Sequence, residues 1–264
     1  MTNDAKAAAV ALWSADPCGP DATDALGLLA GRRKYAPWMA GALDYHATSG
    51  LEVLDVGCGQ GIDLCEYALA GAKVTGIDLT PRHVELARVH LEELGLSGEV
   101  LNGDAENLPF ADCTFDVASS NGVLHHTPDM GAALNEIHRV LRPDGRATVL
   151  VYNRNSIHYW FQQLLVHGIL TGKLLRERSM ANLLSATVER SSIGARPLVR
   201  TYTRGAFRDL LCRAGFEDVT VNPSPLTRIE TSVTKRLPSR FEAPLAKVPL
   251  GWYLVGQGRK RASA

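Results

Sequence analysis

No stretch of this chain approaches the roughly 18 consecutive apolar residues of a membrane-spanning helix, so no helical membrane span is expected. The apolar segment Ala7–Trp13 is short, follows only Lys6 and runs into Asp16-Pro17, which argues against a signal peptide. The five cysteines are odd in number and have no pair at metal-ligand spacing. They fit reduced thiols in a cytoplasmic protein better than a disulfide framework. No set of His, Cys or carboxylates has zinc-site spacing, so no metal is expected. Aromatics make up only 6% of the residues, and the basic stretch 173–213 offers one, Tyr202, near its arginines, with Phe207 at a core-facing position. Stacking platforms for single-stranded nucleic acid are therefore missing, and no nucleic-acid partner is expected.

Net charge is absent too, at zero. That zero hides a division. Residues 1–137 hold 20 acids against 7 Lys/Arg, a balance of −13, and residues 138–264 hold 21 Lys/Arg against 8 acids, a balance of +13. The 264 residues, 45% of them hydrophobic, suffice for one α/β domain with a sizeable core. There is no internal repeat and no low-complexity linker.

What is present centres on residues 53–61, Val-Leu-Asp-Val-Gly-Cys-Gly-Gln-Gly. A buried parallel strand there runs into a turn with Gly57, Gly59 and Gly61 at alternate positions. Glycine accepts φ > 0 and lets backbone approach a ligand closely. Helical spacing of Ile62, Cys65 and Leu69 ends the loop at a helix N-terminus. A dinucleotide fingerprint needs its third glycine where Ile62 stands, and Asp55 would repel a pyrophosphate. A carboxylate at that position suits a ligand with a cationic end, such as an amino acid's ammonium. A second strand, Val74–Asp78, ends in an acid 21 residues after Gly57, a spacing that suits a grip on ribose hydroxyls. Leu101-Asn-Gly-Asp104-Ala105-Glu106 ends a third strand with acids placed for an adenine amino group.

In this order and spacing the chain resembles the class I S-adenosylmethionine (SAM)-dependent methyltransferases, most closely the ubiquinone/menaquinone-type branch. The resemblance runs from about Leu51 to Tyr152 and more weakly to the C-terminus. It rests on Asp55-Val-Gly-Cys-Gly-Gln-Gly61, Gly76-Ile-Asp78-Leu-Thr80-Pro81, Asp104-Ala-Glu106-Asn-Leu-Pro-Phe110 and Gly122-Val-Leu-His-His-Thr-Pro-Asp129. It also includes Glu136-Ile-His-Arg-Val-Leu-Arg-Pro-Asp-Gly145. It implies SAM as cofactor, held by Asp55, Gly57, Cys58, Gly59 and Gly61 in the loop and by Asp78 and Leu79 after the second strand. Asp104, Ala105 and Glu106 are assigned to the adenine, and Asn121 to the methionine part. Trp38 is expected in a lid near the methionine end, with packing on the core as the alternative. The Asp/Asn-Pro-Pro-aromatic box of amine-methylating DNA enzymes is replaced by Ser119-Ser-Asn-Gly.

The expected fold is a Rossmann-like, seven-stranded, mostly parallel sheet with helices on both faces. Residues 1–50 form an N-terminal helical segment or lid, punctuated by Pro17–Pro20, and residues 51–152 the SAM-binding core. Residues 153–203 form a helical substrate cap after strand five, and residues 204–264 complete the sheet. Thr80-Pro81 reads as N-cap and first residue of a helix, Met130–Leu141 as another, and Ala147–Tyr152 as strand five after an Arg142–Gly145 turn. The apolar segment Ser156–Lys173 reads as the first helix of the cap, or else as the interface of a homo-oligomer. Closing strands are expected at Asp218–Val221 and Trp252–Val255.

Methyl transfer from a sulfonium demands alignment above all, and a base only for a poorly acidic hydroxyl or a protonated amine. Candidate catalytic groups are His125, His126 and Tyr152, with structural roles for the histidines as the alternative. Nine Lys/Arg between Lys173 and Arg213 face Glu177, Glu189 and Asp209 alone. Arg196 and Arg200, with Tyr202, are therefore candidates to hold an anionic acceptor, the alternative being a solvated basic face. The expected activity is methylation of a small molecule or modified peptide, at oxygen first. Carbon, as in the quinone branch, and a non-catalytic SAM-binding role are the alternatives.

Overall fold

The computed structural model describes residues 2–18, 24–189, 191–227 and 230–262; Gly19, Pro20 and Arg190, singled out above, lie outside them. Three helices lead the chain: α1 (Thr2–Ala15), α2 (Ala25–Tyr35) and α3 (Met39–Leu43). Then β1 (Glu52–Val56), α4 (Ile62–Leu69), β2 (Lys73–Asp78), α5 (Pro81–Glu93), β3 (Gly98–Asn102) and β4 (Phe115–Asn121) alternate. After α6 (Met130–Val140) come β5 (Leu141–Tyr152), a π-helix (His158–Leu170), α7 (Lys173–Glu177) and α8 (Met180–Thr187). Helix α9 (Arg204–Arg213), β6 (Glu217–Pro223) and β7 (Tyr253–Arg259) complete the core.

One seven-stranded sheet runs in the order β3-β2-β1-β4-β5-β7-β6. Only β7 is antiparallel to its neighbours. Residues 53–56 are buried on both faces of β1, as a covered parallel sheet requires. Strand order reverses between β1 and β4, so the crevice beyond their carboxyl ends is where an open α/β sheet binds ligands. The two large core clusters lie around Leu54, Ile137 and Phe207 and around Val53, Leu64 and Tyr67, and a smaller third one joins Tyr152, Tyr159, Leu184, Val199 and Trp252.

Four local readings change. Leu141, the expected helix end, pairs with Phe115, so β5 begins before the expected turn, runs through it and carries an irregularity, with Asp144 at φ 63°. The Thr80 side chain makes no capping bond; its backbone N–H donates instead to Asp78 Oδ1 at 2.8 Å. The first helix after β5 is a π-helix, whose wider turn brings residues five apart together, as in His158 with Gln163 and Gln162 with His167. The last strand starts at Tyr253 and runs on to Arg259. Among the described residues no helix is long and apolar enough to cross a membrane.

Candidate active site

A cavity of about 790 Å³ opens at the carboxyl ends of β1, β2 and β4. Its floor is the glycine loop. Gly57, Gly59 and Gly61 all have φ between 54° and 81°, but they need to be glycine for different reasons. A Cβ on Gly57 would lie 2.4 Å from Val123, and one on Gly61 2.9 Å from Ala87, so both serve packing. On Gly59 a Cβ would meet, among the described residues, only Cys18 Sγ, at 3.4 Å, because that glycine faces the cavity. Gly61 accordingly does not line the cavity, whereas Gly57, Cys58 and Gly59 do.

Asp78 ties the loop to β2. Its Oδ2 accepts from Gly59 N–H at 2.9 Å and its Oδ1 from Thr80 N–H at 2.8 Å. A carboxylate offers about four lone-pair sites, so acceptor capacity toward the cavity remains. His83 Nδ1 lies 3.3 Å from Asp78 Oδ1. Burial alone would lower the His83 pKa, but its bonds to Asp78 and Cys18 outweigh that and raise it to about 10.

Asp55 is not at the cavity wall. It lies beneath the loop, fully buried, and accepts from Ser119 Oγ at 3.0 Å. The charged pair at this part of the cavity is instead Asp63 on α4 and Arg32 on α2. Asp63 receives Arg32 Nη1 at 2.9 and 3.0 Å, the Tyr45 hydroxyl at 2.7 Å and Asn121 Nδ2 at 2.8 Å, which fills its acceptor sites. Those bonds fix Asn121 and Arg32 at the cavity. Burial opposes the Arg32 charge, and the Asp63 carboxylate overcomes it, raising the guanidinium pKa. The contacts of Arg32 to Asp63 and Met39 all use Nη1, so the rest of the fork is left for another anion.

Burial and the neighbouring Asp63 charge push the Asp55 carboxyl well up from its ordinary value. Folded Asp55 therefore keeps a proton that the unfolded chain has lost above its model value of 3.8. Stability falls as pH rises through that window, because the native state binds more protons. Asp55→Asn, which still offers an oxygen to Ser119, should flatten this decline and raise Tm at neutral pH. Melting curves from pH 4 to pH 8 that decline equally in both proteins would contradict it.

At the far side of the cavity, Asp104 and Ala105 line the wall, but Glu106 does not. Lys6 on α1 bridges them, 2.6 Å from Asp104 and 2.5 Å from Glu106. Trp13 on the same helix packs edge-on to His126, with ring centroids 4.9 Å apart. Asp16 receives the N–H and hydroxyl of Ser192, so α1 reaches across the cavity to the segment after α8. Trp38 lines the cavity and tilts against Tyr253, with centroids 5.9 Å apart.

The three catalytic candidates separate clearly. His125 is fully buried, both ring nitrogens lack a partner, and burial pushes its pKa well down. It packs on Tyr152 at 3.8 Å and does not line the cavity. Tyr152 donates its hydroxyl to Glu189 at 2.7 Å, and burial together with Glu189 raises its pKa, so it orients the carboxylate and keeps its proton. His126, though buried, lines the cavity, as Tyr152 does. Its Nδ1 lies 2.6 Å from the Leu198 carbonyl, which can only accept, so the proton sits on Nδ1. Nε2 is then bare and lies 3.6 Å from Glu189 Oε1. Burial lowers the His126 pKa despite Glu189, leaving the ring neutral.

The structure does not bring Arg196, Arg200 or Tyr202 to the cavity. Arg196 pairs with Glu177 on the surface. Arg200 donates to the Thr127 and Pro128 carbonyls at 3.1 and 2.8 Å. Tyr202 bonds through its backbone to Tyr152 and packs its ring on the core beside Phe207. Arg32, Asp63, Glu189 and Glu230 have no motif around them and were not anticipated.

Residues 54–149 match the methyltransferase domain model. A ubiquinone biosynthesis O-methyltransferase of Cereibacter sphaeroides is 39% identical over 106 residues, 40% of this chain and 43% of that protein. The chain thus spans less than half of that relative. A ubiquinone biosynthesis O-methyltransferase of Aromatoleum aromaticum is 31% identical over 176 residues, 61% of this chain and 75% of that protein. The chain belongs to the class I SAM-dependent methyltransferases. The solved structure of a SAM-dependent methyltransferase from Mesorhizobium loti superposes with a TM-score of 0.57 at 19% identity, over 88% of this chain and all of that one. At that identity the likeness speaks for the fold.

The cavity of this methyltransferase fits its family's cofactor. Asp78 has acceptor capacity left for ribose hydroxyls, and the free fork of Arg32 suits the amino-acid carboxylate. Gly59 leaves space over the loop. Asp104 meets the adenine end with its oxygens already taken, one by Lys6 and one by Glu106 N–H. Asp78→Ala should weaken S-adenosylhomocysteine binding by about 1.5–3 kcal/mol, roughly ten- to a hundredfold, since a charged acceptor is lost. Calorimetry that finds an unchanged affinity would remove Asp78 from the site.

Proposed function

We propose that this methyltransferase moves the methyl group of SAM to a hydroxyl of a small molecule seated in the aromatic part of the cavity. One observation carries the reading. The cavity that begins at the glycine loop continues to His126, whose Nε2 is left over by the Leu198 bond and lies 3.6 Å from Glu189, itself a lining residue. When bound, SAM supplies an electrophilic methyl on a sulfonium. The chain's residues do the rest. Tyr152 holds Glu189, and Glu189 stands beside His126 Nε2. His126 Nε2 takes the proton of the acceptor hydroxyl as its oxygen attacks, a role suited to a ring that is neutral at pH 7. Trp13, Trp38, Tyr35, Trp252 and Tyr253 shield the reacting atoms from water and favour a flat acceptor.

Relatives named as ubiquinone biosynthesis O-methyltransferases support oxygen as the methyl acceptor. The earlier expectation of an anionic acceptor loses its basis, since Arg196 and Arg200 are engaged elsewhere. The test is turnover. The purified chain, given methyl-labelled SAM and a panel of phenols and aliphatic alcohols, should label a phenol and release S-adenosylhomocysteine. Labelling of carbon with no oxygen product would contradict the reading.

A further inference from the structure

The aromatic part of the cavity is also acidic, and its acids are not balanced. Of the cations lining the cavity, Lys6 is held by Asp104 and Glu106, Arg32 by Asp63 and His83 by Asp78. Burial lowers the pKa of both His126 and His158, so these rings are neutral near pH 7. Asp16 accepts from Ser192, so among the described residues Glu189 and Glu230 remain; burial raises the Glu230 carboxyl to about 7, and a cation beside it would hold it ionised. Both carboxylates line the same cavity as Tyr35 and Tyr253.

Glu230 is the more telling of the two. Its Oε1 accepts from the Thr227 N–H and hydroxyl at 3.2 and 3.4 Å. Its Oε2 is buried and has no hydrogen-bond partner among the described residues. An oxygen in that condition is costly, and the side chain lines the cavity. Around it the lining is aromatic: Tyr35, Trp252 and Tyr253 line the cavity, and Trp252 stacks on Tyr152 at 4.4 Å and lies 4.4 Å from His158. Ring faces combined with carboxylates attract ammonium groups through the ring quadrupole and by direct charge. A protonated amine would satisfy Oε2 and the carboxylate charge together, a neutral donor would satisfy the hydrogen bond alone, and an anionic ligand would be repelled.

Building on the methyl-transfer reading above, we infer that the acceptor carries a cationic nitrogen, as a protonated amine or a quaternary ammonium, bound among Tyr35, Trp252, Tyr253, Glu189 and Glu230. The nitrogen is a handle. The atom that reacts is the oxygen at His126, so the handle fixes which end of the acceptor meets the methyl group.

Three phenols differing only in the charge of their tail test this: tyramine, 4-propylphenol and 3-(4-hydroxyphenyl)propionate. Each is titrated by calorimetry into the full chain saturated with S-adenosylhomocysteine. Tyramine should bind at least about tenfold tighter than 4-propylphenol, the scale of a desolvated cation–π contact, and the propionate should bind weakest. Glu230→Gln, nearly the same shape, should erase most of that preference while the affinity for S-adenosylhomocysteine stays unchanged. Equal or weaker binding of tyramine, or a preference that survives Glu230→Gln, overturns the inference and leaves the methyl-transfer reading standing. Failure of S-adenosylhomocysteine itself to bind overturns that reading, and this inference with it.

Discussion

Gly59→Val should yield a folded chain with no measurable affinity for SAM or S-adenosylhomocysteine. The position has room in the protein itself, since a Cβ would meet, among the described residues, only Cys18 Sγ at 3.4 Å. Its φ of 54° adds a strain of about 1–2 kcal/mol for a residue with a Cβ, which should lower Tm by several degrees without unfolding the domain. The two branches of valine would then fill the space over the loop that the cofactor's backbone-hugging portion needs. Gly57→Val provides the contrast. There the added carbon collides with Val123 at 2.4 Å inside the fold, and the expected result is loss of soluble protein. Near-normal cofactor affinity in a folded Gly59→Val chain would mean that the ligand does not cross this loop.

The second large effect is on turnover. His126→Asn places an amide N–H where Nδ1 donates to the Leu198 carbonyl, so the local backbone contact is kept and Nε2 alone is removed. Loss of a positioned general base typically costs about 10²–10⁴-fold in rate, and kcat should drop by that range with cofactor affinity unchanged. The pH profile gives an independent readout. Burial holds the His126 pKa below its model value of 6.5, so wild-type kcat should be level through neutral pH and fall only below that value as Nε2 gains a proton. The variant should lack that acidic fall. A variant with wild-type kcat would assign His126 to packing against Trp13.

The glycine loop, the position of Asp78 and the mostly parallel sheet were legible because each is a local pattern: a strand, a turn that needs φ > 0, a helix start, and a fixed distance to the next strand. The ends of β5 and α5 were less so, because Leu141 pairs with Phe115, and Asp78 takes the donor of Thr80, through contacts that spacing does not display. Asp55 was misplaced for a related reason. Its position beside the loop was right, but successive strand residues point to opposite faces, and its carboxylate falls on Ser119. Arg196 and Arg200 drew attention by sheer number of positive charges nearby, a one-dimensional count that ignores Glu177 and the open carbonyls of Thr127 and Pro128. The residues that shape the acceptor end, Tyr35, Glu189, Glu230 and Trp252, come from four separate parts of the chain. No window of sequence contains them together.

Calorimetric titration of the unaltered chain with SAM, and separately with NAD, tests the central claim most directly. The site built from Arg32, Gly59 and Asp78 should bind SAM at one site with micromolar affinity, about −8 kcal/mol, and should give no heat with NAD. No heat with SAM, or binding of NAD at comparable strength, would contradict the account.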